Sequence, residues 1–214
     1  MYVICGVDEA GKGSVLGPMV IAGVSAPDMD IVASTGVADS KTLSRNRREI
    51  IYREITENFL FACRIISAEE IDRLRAEILM NEIVAQAHAE VIRKLPSCTA
   101  FVDACDVNAE RYGRTVGGYA GDGYSVISEH KADVRYAVVS AASVVAKVTR
   151  DRCIDLLHEE FGNFGSGYPS DPLTIQFLED YIKEFMQPPS CARTSWETTR
   201  RIMDRLSQAT LFDF

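Results

Sequence analysis

Two adjacent carboxylates at the end of an apolar strand constrain this chain more than any other feature. The stretch is Val7-Asp8-Glu9-Ala10-Gly11-Lys12-Gly13, and the residues before it, Tyr2 to Val7, read as a buried strand. Carboxylates leaving such a strand are costly to hold unless a cation pairs with them, and a divalent metal is the usual partner. The Gly-Lys-Gly step that follows offers bare backbone N–H groups beside a positive charge, a good surface for phosphate. Metal and phosphate together point to phosphodiester chemistry.

The net charge of −8 argues against a protein that coats nucleic acid generically, which would be basic. A local basic strip that grips a short duplex remains compatible with it. The six cysteines are scattered and never fall in a C-x-x-C pattern, so they read as reduced, mostly core residues. The apolar run Val15 to Ala26 contains Gly and Pro and is shorter than the about 20 residues needed to span a bilayer. The N-terminus lacks the pattern of a signal peptide, with Asp8-Glu9 interrupting it. A cytoplasmic protein without membrane contact is expected.

Further along, Pro18 to Ala26 reads as a second strand joined to the first by a glycine-rich loop. Arg45 to Asn58 reads as a basic helix, and Phe59 to Ile66 as a third strand. Ser67-Ala68-Glu69-Glu70 has capping-box spacing, and Ile78 to Leu95 reads as a further helix. Thr99 to Ala104 and Tyr124 to Ser128 read as strands. Apolar residues at 137, 138, 141, 144, 145 and 148, with small Ala and Ser between them, predict a closely packed central helix. After a loop from Phe161 to Pro172, Leu173 to Met186 and Trp196 to Leu206 read as helices. The whole is an α/β arrangement with a helical C-terminal part.

Asp103 and Asp133 share the situation of Asp8, each at or just beyond the end of a predicted strand, where ligand sites of α/β sheets gather. Any one such Asp is ordinarily a turn or helix cap. Four acidic donors, Asp8, Glu9, Asp103 and Asp133, with no His or Cys among them, suit Mg²⁺ or Mn²⁺ better than zinc. His88 and His158, in predicted helices, read as surface or packing residues. His130 and Glu129 are reserve candidates beside Asp133.

With these blocks in view, the chain resembles the type 2 ribonucleases H, specifically ribonuclease HII of the archaeal and eukaryotic kind. The resemblance rests on Asp8-Glu9-Ala10-Gly11-Lys12-Gly13 with Gly17-Pro18, on Asp39-Ser40-Lys41 and on Val102-Asp103-Ala104. It continues through Lys131-Ala132-Asp133, Val139 to Ser143, Ala146-Lys147-Val148, Gly165 to Pro172, and Ser195-Trp196 with Thr198. It implies a ribonuclease H-like mixed five-stranded sheet flanked by helices, with a helical C-terminal segment. Residues 1–160 would form the catalytic domain, 161–206 the helical segment, and 207–214 a tail.

The resemblance also implies that Asp8, Glu9, Asp103 and Asp133 bind metal in a two-metal mechanism. The reaction would be hydrolysis of RNA in RNA/DNA hybrids, or 5′ of a single ribonucleotide in duplex DNA, leaving 3′-hydroxyl and 5′-phosphate ends. Gly11, Lys12, Gly13 and Tyr168 would read the ribose and the RNA–DNA junction, with Lys41 on a backbone phosphate. Arg45, Lys147 and Arg150 are further phosphate candidates, against the alternative of a solvated basic face. Many relatives have Arg where this chain has Lys12, which keeps the charge and loses the planar fork. Gln208, Leu211 and Phe214 resemble a box that binds the sliding clamp PCNA, the alternative being a tail docked on its own domain. A monomer is expected. A catalytically idle hybrid-binding adaptor and a less selective metal-dependent nuclease are the competing functions.

Overall fold

The computed structural model describes residues 3–37, 44–96 and 99–212, with side chains described as far as Gln208. Its sheet has the strand order β3-β2-β1-β4-β5. The strands are β1 (Ile4–Ala10), β2 (Met19–Ala26), β3 (Leu60–Ile66), β4 (Thr99–Asp103) and β5 (Ser125–Glu129). β1 is antiparallel to β2 and parallel to β4, and β4 is parallel to β5. The expected mixed five-stranded sheet is therefore present. β1 runs on through both carboxylates to Ala10, beyond the expected end at Val7, because Asp8 and Glu9 stay paired with Ala22 and Ile21.

The helices are α1 (Met29–Ala33), α2 (Arg45–Asn58), α3 (Ala68–Arg75), α4 (Met80–Arg93), α5 (Ala109–Ala120), α6 (Ala132–Arg135), α7 (Ala137–Phe161), α8 (Pro172–Phe185) and α9 (Glu197–Phe212). Their starts follow local chemistry. Ser44 caps α2, Asn108 caps α5, and Ser67 accepts from the Glu70 N–H as the capping-box spacing predicts. Asp171 caps α8 with Pro172 in its first turn. The α5 helix has no counterpart in the sequence pattern. Gly113, Gly117 and Gly118 depress its helix propensity, yet a Cβ at Gly113 would lie 3.1 Å from that of Ser128 on β5. Close packing on the sheet selects glycine there.

The chain divides into two compact units. The first comprises residues 1–10, 20–65 and 79–149, and the second 11–19, 66–78 and 150–214. In the first, α7 contributes Val138, Val139, Ala141, Ala142, Val144, Val145, Ala146 and Val148 to the core, all buried. This part of α7 is apolar on nearly every side, as a helix enclosed by its neighbours must be. The α4 and α5 helices pack together, with α5 on β5 and α4 on β1. The second unit has its own core, built on Val15, Leu16, Ile154, Phe164, Leu178, Ile182 and Ile202. No helix among the described residues is long and apolar enough to cross a membrane. Cys5, Cys63, Cys105, Cys153 and Cys191 are in no disulfide; Cys5 and Cys191 are buried, whereas the other three are only partly so, fewer in the core than expected.

Gly6 allows α7 to lie directly on β1. A Cβ there would sit 2.3 Å from the Val138 carbonyl carbon and 2.4 Å from its oxygen, with backbone on both sides that cannot yield cheaply. Gly6→Ala is expected to cost about 2 kcal/mol or more and to lower the melting temperature by about 4–8 °C. A thermal melt coinciding with wild type would show that helix and strand are not in this contact.

Candidate functional site

Strand alternation sends Asp8 and Glu9 to opposite faces of the sheet. Asp8 shares the Gly6 face, towards α7, while Glu9 shares its face with Val7, towards α4. The parallel register pairs Val7 with Val102 and Asp103 with Glu129, so the next residues in register, Asp8 and Asp103, close adjacent strands. Asp103 accepts a 2.8 Å hydrogen bond from the Ala132 N–H. That contact follows Lys131, which adopts the left-handed conformation at φ 59°, uncommon for a residue with a side chain. The turn brings Asp133 into the first turn of α6, where it is buried. The sheet thus sets Asp8 just beyond the parallel pairing of β1 with β4, Asp103 at the end of β4, and Asp133 shortly after β5.

These acids interact. Burial, then the neighbouring Glu9, and then Asp103 push the Asp8 carboxyl up from 3.8 to about 8. The Ser143 hydroxyl on α7 and the Glu9 N–H, 2.8 Å away, oppose the rise. Ser143 lies near Asp8 without the alignment of a hydrogen bond. Glu9 Oε2 is buried and also lacks a hydrogen bond, with His88 Nε2 3.3 Å away but misaligned. His88 is fully buried, and its Nδ1 is 3.1 Å from the Tyr112 hydroxyl, itself held neutral by burial. The packing role expected of His88 is present, but its position against Glu9 was not legible from a lone His in a helix.

Glu129 is committed elsewhere, to Arg135 and to the Tyr136 hydroxyl at 2.8 Å, contacts that hold its carboxyl below the usual range. His130 is exposed, 3.3 Å from the Val107 carbonyl. Among the described residues, no three His, Cys, Asp or Glu side chains converge as a ready-made metal cage. The donor chemistry nevertheless fits a hard divalent cation. It is all oxygen, its central carboxyl is driven towards neutrality by burial and then by neighbouring like charge, and a buried carboxylate oxygen lacks a hydrogen bond.

The second unit builds a separate constellation around the glycine–lysine loop. Gly11 has φ 83°, and a Cβ on it would meet Arg150 Nε at 2.3 Å, so only glycine serves. Around Gly13 nothing lies within 4 Å of a would-be Cβ. The Gly11 N–H donates to the Tyr168 hydroxyl at 3.1 Å, which joins the two family blocks directly. Arg150, expected as a surface phosphate contact, is only 4% exposed. Its guanidinium donates to the Pro18, Leu16 and Ser166 carbonyls and lies 4.7 Å over the Tyr168 ring. The expectation failed because the apolar core of this unit closes over the start of the 150–161 segment. Arg193, which no sequence signal singled out, is fully buried and bonded to the carbonyls of Gly11, Lys12 and Gly17. Lys41, the Leu211 side chain and Phe214 lie outside the described residues, while the Gln208 side chain is exposed.

A mixed sheet of this order with acids closing its parallel strands defines a ribonuclease H-like nuclease. The family model for Ribonuclease HII matches residues 5–199. Ribonuclease HII of Methanospirillum hungatei is 51% identical over 212 residues, covering 99% of this chain and 100% of that protein. Two solved structures are similar over most of their length. Ribonuclease H2 of Pyrococcus horikoshii has TM-score 0.90 and 37% identity, covering 97% of this chain and 100% of that one. The ribonuclease HII of a PCNA complex from Archaeoglobus fulgidus has TM-score 0.87 and 44% identity, covering 92% and 96%. The chain belongs to the ribonuclease HII family. It is a ribonuclease H, an endoribonuclease of RNA/DNA hybrids.

The Asp8 shift has a measurable consequence in metal-free protein. Its folded pKa lies above its unfolded one, so the native state keeps a proton that the unfolded chain sheds. The resulting stability is complete below about pH 4 and is lost as pH rises through about 8. Asp8→Asn in EDTA should therefore melt above wild type at pH 8 to 9, with the gap closing towards pH 4. Parallel melting curves across that range would show that Asp8 is not desolvated beside other acids.

Proposed function

We propose that the chain cuts the RNA strand of hybrids and also incises 5′ of single ribonucleotides in duplex DNA, leaving 3′-hydroxyl and 5′-phosphate ends. Its place would be in ribonucleotide removal and primer processing. The observation that carries this reading is the electrostatic conflict among Asp8, Glu9 and Asp103, which serves no purpose in a binding module. Asp8, Glu9, Asp103 and Asp133 would hold Mg²⁺ or Mn²⁺. The bound cations would supply Lewis-acid charge for an in-line displacement at phosphorus.

The protein's own groups do the remainder. Asp103, fixed by the Ala132 N–H, presents its carboxylate from a rigid strand end. Gly11, Lys12 and Gly13 would take a substrate phosphate through backbone N–H groups and the lysine charge. Tyr168 would pack on the ribose at the RNA–DNA junction, where only the 2′-hydroxyl and sugar geometry distinguish RNA from DNA. Its hydroxyl is anchored to the loop that would hold the phosphate, so the two recognitions are mechanically linked. Lys41 would add a backbone contact, and Lys41→Ala should weaken hybrid binding and flatten its salt dependence. An unchanged salt slope would remove Lys41 from the interface.

A sliding clamp is the proposed partner, through Gln208, Leu211 and Phe214. The Archaeoglobus fulgidus relative has been solved in complex with PCNA, which supports this reading. Calorimetry with the last seven residues as a peptide should give heat on titration into a clamp. Absence of heat would favour a tail docked on its own domain.

The decisive test is a labelled DNA duplex with one ribonucleotide, incubated with Mg²⁺, Mn²⁺ or EDTA. Incision 5′ of the ribonucleotide should need metal and fall at least about a hundredfold in Asp103→Asn. Replacing the ribose by deoxyribose should abolish it. Equal cutting of the all-DNA duplex would favour the unselective nuclease. Failure to cut either this duplex or a long hybrid would favour the idle adaptor.

A further inference from the structure

Arg193 and Arg150 are the only fully charged side chains of the second unit buried to this degree among the described residues. Neither has a carboxylate within ion-pair distance among those residues; their donors go to backbone carbonyls. Arg193 Nη2 donates to the Gly11 carbonyl at 2.6 Å, Nη1 to that of Lys12 at 2.8 Å, and Nε to that of Gly17 at 3.2 Å. One planar fork thus holds both ends of the 11–17 loop. The Arg193 main chain is fixed in turn, its N–H donating to the Val15 carbonyl and its carbonyl accepting from the Thr199 hydroxyl. Its guanidinium also stacks 4.8 Å from the Trp196 ring centre.

The consequence follows from peptide geometry. In a trans peptide the C=O and the next N–H point in opposite directions, and the described chain has no cis bonds. With the Gly11 and Lys12 carbonyls both turned onto Arg193, the N–H groups of Lys12 and Gly13 both turn away from it. Two successive N–H groups so directed form an anion-binding concavity. Beneath it lie two guanidinium charges whose hydrogen bonds all go to backbone carbonyls. Burial and the neighbouring Arg150 pull Arg193 down to about 9, a cost that an anion on the loop would relieve.

We propose that Arg193, supported by Arg150, is a positioning and specificity-determining residue: it locks the Gly11-Lys12-Gly13 backbone into a preformed phosphate cradle and supplies the buried positive charge beneath it. The proposal rests on the reading of that loop as the ribonucleotide-binding element. Arg193 touches no substrate; it acts through the loop. A lysine at 193 would keep the charge but could not hold the three carbonyls in one plane.

A double-mutant cycle on the full-length protein tests this, using Arg193→Lys, Lys12→Ala and their combination. Steady-state cleavage would be measured on a DNA duplex with one ribonucleotide, alongside thermal melts. Arg193→Lys should lower kcat/KM about tenfold, mainly through KM, and the double variant should be little worse than Lys12→Ala alone. Additive losses, or an Arg193→Lys variant with wild-type KM while Lys12→Ala is impaired, would overturn the proposal and leave the loop reading intact. Wild-type KM in Lys12→Ala and Tyr168→Phe alike would instead overturn the loop reading itself, and the proposal with it. A second measurement does not depend on the folding of Arg193 variants. Trp196 is the chain's single tryptophan, so its emission in EDTA should shift when an RNA/DNA hybrid is added to wild type and not when it is added to Lys12→Ala. An unmoved Trp196 spectrum at saturating hybrid would count against a cradle built on Arg193.

Discussion

The closeness of α7 to β1 at Gly6 is the constraint on which the first unit depends. Backbone meets backbone there, at Val138 and Val139, and the helix carries small residues on through Ser140, Ala141, Ala142 and Ser143. The same closeness removes water from the face that Asp8 shares with Gly6, two residues on. Asp8 is therefore buried by the packing that stabilises the sheet, and its raised pKa is a by-product of a tight core. A looser helix would leave the acid hydrated and fully ionised, with less to gain from a divalent cation. Stability and function draw here on one contact, at a glycine with no chemistry of its own.

Each unit carries an internal imbalance of charge, and the two are of opposite sign. In the first, like-charged carboxylates crowd one another and one of them is driven towards neutrality. In the second, two guanidiniums are buried against backbone carbonyls and aromatic rings, and both are pulled below their ordinary values by desolvation. The overall charge of −8 conceals this completely. Buried charge costs free energy even where hydrogen bonds satisfy its donors, so each arrangement is held at the expense of stability.

What the sequence revealed tracks how local each cause is. The β2 to β5 strands lie within one residue of their expected limits, and the Ser67 cap forms as its spacing dictates. These depend on neighbours in the chain. The placing of Asp8 and Asp103 on adjacent strands was legible because the strands themselves are. The α5 helix was not, since its glycines serve a contact with β5 that only tertiary structure creates. His88 and Arg193 escaped for the same reason. A histidine in an amphipathic helix and an arginine before Thr194 have many ordinary fates, and nothing nearby says that one meets Glu9 and the other Gly11. Arg150 was misjudged by a rule that is right on average, that charge is exposed.

The substitution of Lys12 for the arginine common in relatives gains a physical reading from Arg193. An arginine at that position could itself orient a phosphate through two parallel bonds, whereas a lysine contributes a point charge with little directional preference. Direction must then come from the backbone, and backbone N–H groups direct an anion only if the peptide planes are fixed. Arg193 fixes them from the buried side, with its planar fork spread across the Gly11, Lys12 and Gly17 carbonyls. The geometry that a guanidinium would have provided at the surface is transferred through two peptide bonds from one inside the protein. On this view the Lys12 charge sets how strongly a phosphate is drawn, and the buried Arg193 sets where it comes to rest.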